Sequence, residues 1–329
     1  IRLKLRTAQI CASSMPGTVL GHSGISVSRI SMGTHHLNDP ADMDKHVQNF
    51  LYAYKKGINF FETSVTYGEG YSELILGEAV KEMKKGERPF FIMSKTHAGD
   101  HETFRRDLEN SLKRLGVDSI DAFTCLWGVK SGVEWSGAKA YGVLKEMERA
   151  REEGLIKHIA ISAHMKNQEL EPIVKEYPFD YSVQGFNVVN SAYRADGLKA
   201  TWESGAGTIA MNPLATGDIL KYSHIFDAIR IREDQSLVQA AYSYVLSIPW
   251  VHSVLGTFNS KEQIDEALSV LEEAPYSEAE LKKVQTCLKE RIRGTSLKER
   301  IDTGKGLRQR PYILREEAAD LMEVYPLSV

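Results

Sequence analysis

The sequence predicts a closed (β/α)8 TIM barrel with an N-terminal β-hairpin and a C-terminal helical extension. Three observations carry this expectation. Short apolar runs alternate with amphipathic helical patterns in eight βα units, counting the run at 30–33 as the first strand. Eight such units in roughly 250 residues have the size of a β/α barrel. Ionisable side chains also gather just past the C-terminal ends of several apolar runs, where parallel α/β proteins place their chemistry. Finally, no Gly-x-Gly-x-x-Gly follows an early strand, which disfavours the alternative of a doubly wound sheet.

Taken in order, residues 18–30 read as a hairpin turning at Gly21 to Gly24, and Ile30 to Gly33 as the first barrel strand. Further strands are expected near 58–62, 89–95, 119–126, 157–162, 181–184, 207–211 and 251–256. Each is a short apolar run of the kind buried on both faces. Helical patterns fill the gaps at 43–56, 73–84, 101–115, 138–153, 168–177, 234–246 and 261–271, and the connection near 193–204 has the weakest pattern. Residues 1–272 are therefore assigned to hairpin and barrel. Residues 273–329 form the extension packed on it, with helices expected near 277–292 and 314–323.

Composition excludes several classes. A net charge of −3 over 329 residues supplies no bulk field for nucleic acid or anionic membrane. The stretch from Lys282 to Arg310 is locally dense in Lys and Arg and reads as a solvated helical face or as a docking patch. Cys11, Cys125 and Cys287 are too widely spaced for a CxxC metal pair or a disulfide framework. A reducing, cytoplasmic compartment and no metal site are expected. No apolar run approaches the ~20 residues of a membrane span. No signal-peptide pattern opens the chain, although it begins at Ile1, so a trimmed leader stays open.

The chemistry-bearing stretch runs from Gly57 to Glu73. The apolar run Ile58 to Phe61 leads into Glu62, Thr63, Ser64 and Tyr67, and a turn broken by Gly68 and Gly70 enters a helix through Ser72 and Glu73. The next strand ends in Lys95, whose ammonium points to the same rim as Tyr67. An adjacent ammonium favours phenolate over phenol, which normally titrates near ~10. Tyr67, Lys95 and Glu62 thus read as a general acid with its tuning groups. An ordinary βα loop with a capping serine is the other reading.

These residues resemble the aldo-keto reductase signature Gly-x4-Asp-Thr-Ala-x-x-Tyr-Gly, followed by a lysine at the end of the next strand. Glu62 stands where that family has Asp. The resemblance extends from Leu20 to about Leu271, through Leu20-Gly21, Met32-Gly33-Thr34, Ser111-Leu112 with Asp118 and Asp121, Glu153-Gly154-Leu155-Ile156-Lys157 and Met211-Asn212-Pro213-Leu214. It implies a nicotinamide cofactor bound on the barrel's C-terminal rim. Gly33 and Thr34 would lie beside it, Ser162 and Gln184 would hold the carboxamide, and Met211 would pack on the ring. Gly256, Thr257, Asn259, Lys261, Gln263 and Glu266 match the adenosine-phosphate region. Lys261 is the evident cation for a 2′-phosphate, which tilts the expectation to NADP(H) over NAD(H). Ser162-Ala163-His164 is similar to the branch that carries a C-terminal iron–sulfur cluster, but Cys287 alone after residue 271 builds no such cluster.

The resemblance also breaks. Asp121-Ala122-Phe123-Thr124-Cys125-Leu126-Trp127 places Leu126 where members carry a histidine that donates to the substrate oxygen. Losing one such donor costs ~10²–10³ in rate at comparable sites. His35 and His36 are candidates to fill that role, with ordinary polar surface as the other reading, and Leu126, Trp127 and Tyr193 read as pocket residues. Two functions follow. The first is an NAD(P)(H)-dependent oxidoreductase acting on a specialised small-molecule carbonyl or alcohol, a sugar or biosynthetic intermediate. The second is a catalytically weak, cofactor-binding regulatory or scaffold protein. Substrate, direction and oligomeric state are left open.

Overall fold

A hairpin of β1 (Gly17–Val19) and β2 (Ser26–Ser28) opens the computed structural model, which describes residues 17–37, 39–124 and 132–303. The chain continues through β3 (Ile30–Gly33), α1 (Met43–Lys56), β4 (Phe60–Glu62), α2 (Tyr71–Met83), β5 (Phe91–Lys95), α3 (His101–Leu115) and β6 (Ile120–Thr124). Next come α4 (Gly132–Ala140), α5 (Val143–Glu152), β7 (Ile156–His158), β8 (Ala160–Ala163), α6 (Asn167–Glu176), β9 (Tyr181–Gly185), α7 (Ser191–Glu203) and β10 (Gly207–Met211). The short α8 (Asp218–Lys221) and α9 (Ser223–Phe226) precede α10 (Leu237–Leu246), β11 (Ser253–Gly256), α11 (Lys261–Ser269), α12 (Glu278–Arg291) and α13 (Ser296–Thr303).

The nine strands from β3 to β11 pair in parallel in the order β7-β6-β5-β4-β3-β11-β10-β9-β8, a nearly closed barrel with helices alternating around it. Strand pleating separates two cores. Phe60, Met93, Ala122, Ala160, Tyr181, Val183, Ile209 and Leu255 pack inside the barrel, whereas their strand neighbours such as Phe61, Ile92 and Phe123 pack against the helices. Leu20 and Val27 of the hairpin join the inner group. The hairpin is fixed to the N-terminal end of the barrel by Asn59, which accepts from the Ser28 amide at 2.7 Å, and by Arg29, which donates to the carbonyls of Val251 and Leu246. With that end plugged, the C-terminal end carries the site.

Several boundaries differ from expectation for local reasons. The helix expected at 138–153 is two, because Gly142 takes φ 74° and caps α5. The strand expected at 157–162 is interrupted at Ile159, whose amide donates to the Asp180 carboxylate at 2.8 Å. The helix expected from residue 234 begins at Leu237, where Ser236 and Gln239 form a reciprocal capping box. The weak connection at 193–204 is helical, within α7. The helix expected at 314–323 and the end of the strand expected at 119–126 lie outside the described residues. Among the described residues, no helix is long and apolar enough to cross a membrane.

Helices α2 and α3 cross closely at Gly77, where an added Cβ would stand 2.3 Å from the Arg114 carbonyl oxygen. Gly77→Ala must push the helices apart, and overpacking of this kind costs ~1–3 kcal/mol. Urea unfolding is expected to show a lower midpoint at unchanged slope. An unaltered midpoint would contradict the crossing.

Candidate active site

Glu62 ends β4 and Lys95 ends β5, and both share the inward parity of Phe60 and Met93. Adjacent parallel strands therefore deliver a carboxylate and an ammonium to one point at the barrel mouth. Both are buried, at 3% and 1% exposure. The Lys95 ammonium contacts the Glu62 carboxylate and donates to the Thr63 carbonyl at 2.9 Å. Burial pushes the Lys95 ammonium well below the usual lysine range, while the carboxylate beside it favours the charged form.

Tyr67 sits on the turn that follows. Gly68, Glu69 and Gly70 all take positive φ, at 55°, 55° and 94°, a path the two glycines accept at little cost. The turn is tied down behind by Ser64, which donates to the Lys95 carbonyl at 3.0 Å, and by the Ser72–Thr63 hydroxyl contact at 2.9 Å. The Tyr67 ring consequently lies over the lysine, with Nζ 4.6 Å from its centroid. His35 meets the same ring edge-on at 4.9 Å.

Gly33, His35, Glu62, Tyr67, Lys95, Ser162, Met211 and Thr257, all singled out from sequence, line one pocket. Gly33 keeps it open, since a Cβ there would approach Glu62 Oε2 to 3.3 Å. Ser162 is 1% exposed, and its hydroxyl has no partner among the described residues. His164, read from sequence as structural or cofactor-adjacent, also lines it, and Asn212, Thr216 and Leu255, which were not assigned there from sequence, complete the lining. Leu255 was within reach of a parity count, being two residues before Thr257. Asn212 and Thr216 owe their place to a loop in which Asn212, Ala215 and Thr216 take φ of 59°, 51° and 61°, which no local signal announces.

Other expected residues point elsewhere. Gln184 is registered opposite Ala163 on the outward parity, and its amide donates to Ser182 and Thr201 at 2.8 Å each. In this structure it faces α7. Thr34 likewise faces out of the pocket and donates to Thr63 at 2.9 Å. Gly256 accommodates Tyr242, whose hydroxyl would be 2.1 Å from an added Cβ. Asn259 and Gln263 engage each other, the Asn259 amide donating to Gln263 Oε1 at 2.7 Å, and Glu266 accepts from Ser236 at 2.7 Å. Lys261 is exposed, with its ammonium 5.4 Å from the Tyr52 ring centroid. His36 turns away from His35, toward His46 on α1, at 5.6 Å between rings. Burial, with His46 beside it, lowers His36 to about 4. Leu126 and Trp127 lie outside the described residues.

With this geometry in place, comparison with known proteins is specific. The aldo/keto reductase family model matches residues 29–289. L-galactose dehydrogenase of Arabidopsis thaliana is 23% identical over 304 residues, covering 82% of this chain and 93% of its own. The NADH-specific methylglyoxal reductase of Escherichia coli is 25% identical over 224 residues, covering 60% and 67% respectively. Among solved structures, an aldo-keto reductase from Klebsiella pneumoniae in complex with NADPH superposes with a TM-score of 0.68 at 18% identity, covering 91% of this chain and all of that one.

His36 carries a testable consequence. Its ordinary value is 6.5 and its folded value about 4, so between these the unfolded chain holds a proton that the folded chain does not. Stability contributed by neutral His36 is complete above 6.5 and is lost as pH falls toward 4. Urea midpoints taken at about pH 7 and about pH 5 are expected to fall more for the native protein than for His36→Gln. Equal falls would contradict the burial.

Proposed function

Because the chain belongs to the aldo/keto reductase family, we propose that it is a nicotinamide-dependent oxidoreductase exchanging a hydride and a proton with a polar carbonyl or alcohol substrate. The observation that carries this proposal is the Tyr67 ring held over Lys95, itself buried against Glu62, in the pocket at the barrel mouth. A protein that only bound its ligand would have no use for an acid and a buried charge pair to tune it.

The pocket suits the cofactor chemically. The unpartnered Ser162 hydroxyl matches a carboxamide's donors and acceptor. The Met211 thioether packs favourably on an aromatic ring, and Gly33 and Thr257 border the same space. Exposed Lys261, at the start of α11, offers a cation to a 2′-phosphate, so NADP(H) is favoured over NAD(H). The Klebsiella structure holding NADPH is in keeping with that preference, although the Escherichia relative is NADH-specific.

When bound, the nicotinamide supplies or accepts the hydride. Tyr67 gives its hydroxyl proton to the substrate oxygen in reduction and recovers it in oxidation. Lys95 stabilises the phenolate left behind, and Glu62 favours the charged lysine that does so. His35, edge-on to Tyr67, offers a second polar contact at the reacting oxygen. His164, Asn212 and Thr216 surround the space with hydrogen-bonding groups, which favours a hydroxyl-rich substrate such as a sugar. The dehydrogenation of L-galactose by the Arabidopsis relative makes an aldose the first compound to try.

Tyr67→Phe removes the proton donor while keeping the ring. Turnover of L-galactose with NADP+ or NAD+, and of methylglyoxal with NADPH or NADH, is expected to drop by ~10²–10⁴. Cofactor affinity, read by fluorescence quenching, is expected to stay the same. Retained turnover would overturn the role of Tyr67. Tight cofactor binding with no turnover by the native protein would favour the catalytically weak regulatory reading.

A further inference from the structure

We propose that Glu73 is a positioning residue that holds Tyr67 over Lys95. This deepens the oxidoreductase proposal and rests on it for the roles of those two side chains. Glu73 is fully buried in the first turn of α2, six residues after Tyr67. One carboxylate oxygen accepts from Ser94 Oγ at 2.5 Å, and Ser94 immediately precedes Lys95 in β5. The other accepts from Arg114 on α3, from Nε at 2.6 Å and from Nη2 at 2.5 Å. The Arg114 side chain in turn packs beneath Gly70, where an added Cβ would stand 3.3 Å from Nε. Gly70 closes the turn that presents Tyr67.

A single carboxylate thus links the strand that delivers the lysine, the helix that anchors the tyrosine turn, and the guanidinium that supports the turn from below. Stability alone does not call for a charge here, since buried ion pairs are often replaced by apolar groups without loss. What an apolar group lacks is direction. The carboxylate has two oxygens aimed at two elements, one accepting from Ser94 and the other held between two nitrogens of Arg114. The first turn of a helix also favours a negative charge. Removing the carboxylate frees Ser94 and Arg114 together, and misplacement of ~1 Å at a catalytic pair costs ~10²-fold in rate.

The test uses the full chain with Glu73→Gln, Ser94→Ala and the conservative Ser94→Thr. Tyr67 ionisation is read as tyrosinate absorbance, taken as the difference from a matching Tyr67→Phe protein, and needs no turnover. Glu73→Gln and Ser94→Ala are expected to move the Tyr67 midpoint upward by about half a unit or more, as the lysine drifts from the ring, and Ser94→Thr is expected to restore it. With methylglyoxal and NADPH as probes, kcat is expected to fall ~10–10²-fold while NADPH affinity is unchanged. If Glu73→Gln does not fold, Ser94→Ala and its Thr rescue decide the matter. An unmoved Tyr67 midpoint with lowered unfolding midpoints would overturn the proposal and leave Glu73 a brace. A moved midpoint in a protein whose native form turns over no carbonyl would sink the oxidoreductase proposal but not the positioning.

Discussion

The contact between Lys95 and Glu62 is the constraint on which the site depends. Two opposite charges are withdrawn from water at the mouth of a barrel, and each would be costly alone. They persist because the last residues of neighbouring parallel strands meet there and because the Thr63 carbonyl takes another of the ammonium's protons. This arrangement governs its surroundings. Gly33 has no side chain to crowd Glu62, Ser64 binds the backbone of Lys95, and the turn after Thr66 folds back so that Tyr67 covers the lysine.

The rest of the barrel makes that arrangement possible by giving the chain one usable end. Leu20 and Val27 fill the N-terminal opening, and Asn59 and Arg29 anchor the hairpin that carries them or follows it. The inner side chains pack the lumen, so ligands enter only where the strands end in polar residues. At that end the loop after β10 contributes Asn212 and Thr216 in left-handed conformations. Strained backbone of this kind is found where function over-determines the local fold.

Much of this was legible in the sequence, because strand-end chemistry depends on local order. Glu62, Tyr67 and Lys95 sit at recognisable punctuation; Gly33 and Met211 end their strands, Ser162 falls one residue before a strand end and Thr257 one after. Parity was the limit. Gln184 sits at a strand end as well, but it is registered with Ala163 rather than Ser162 and so turns outward. The two adjacent histidines, on the turn after β3, also diverge, His35 toward Tyr67 and His36 toward His46. Glu73 looked like an ordinary acidic residue in a first helical turn. Its partners lie 21 and 41 positions away, and no local pattern reports such distances.

The most direct test of the central interaction is the coupling free energy between Lys95 and Glu62, measured by urea unfolding of Lys95→Met, Glu62→Gln and the double variant. Each single change strands a buried partner and is expected to cost ~3–5 kcal/mol, whereas the double change, which leaves no buried charge, should cost much less than their sum. Additive losses would show that the two charges do not depend on each other, and the account of the site built on their pairing would be wrong.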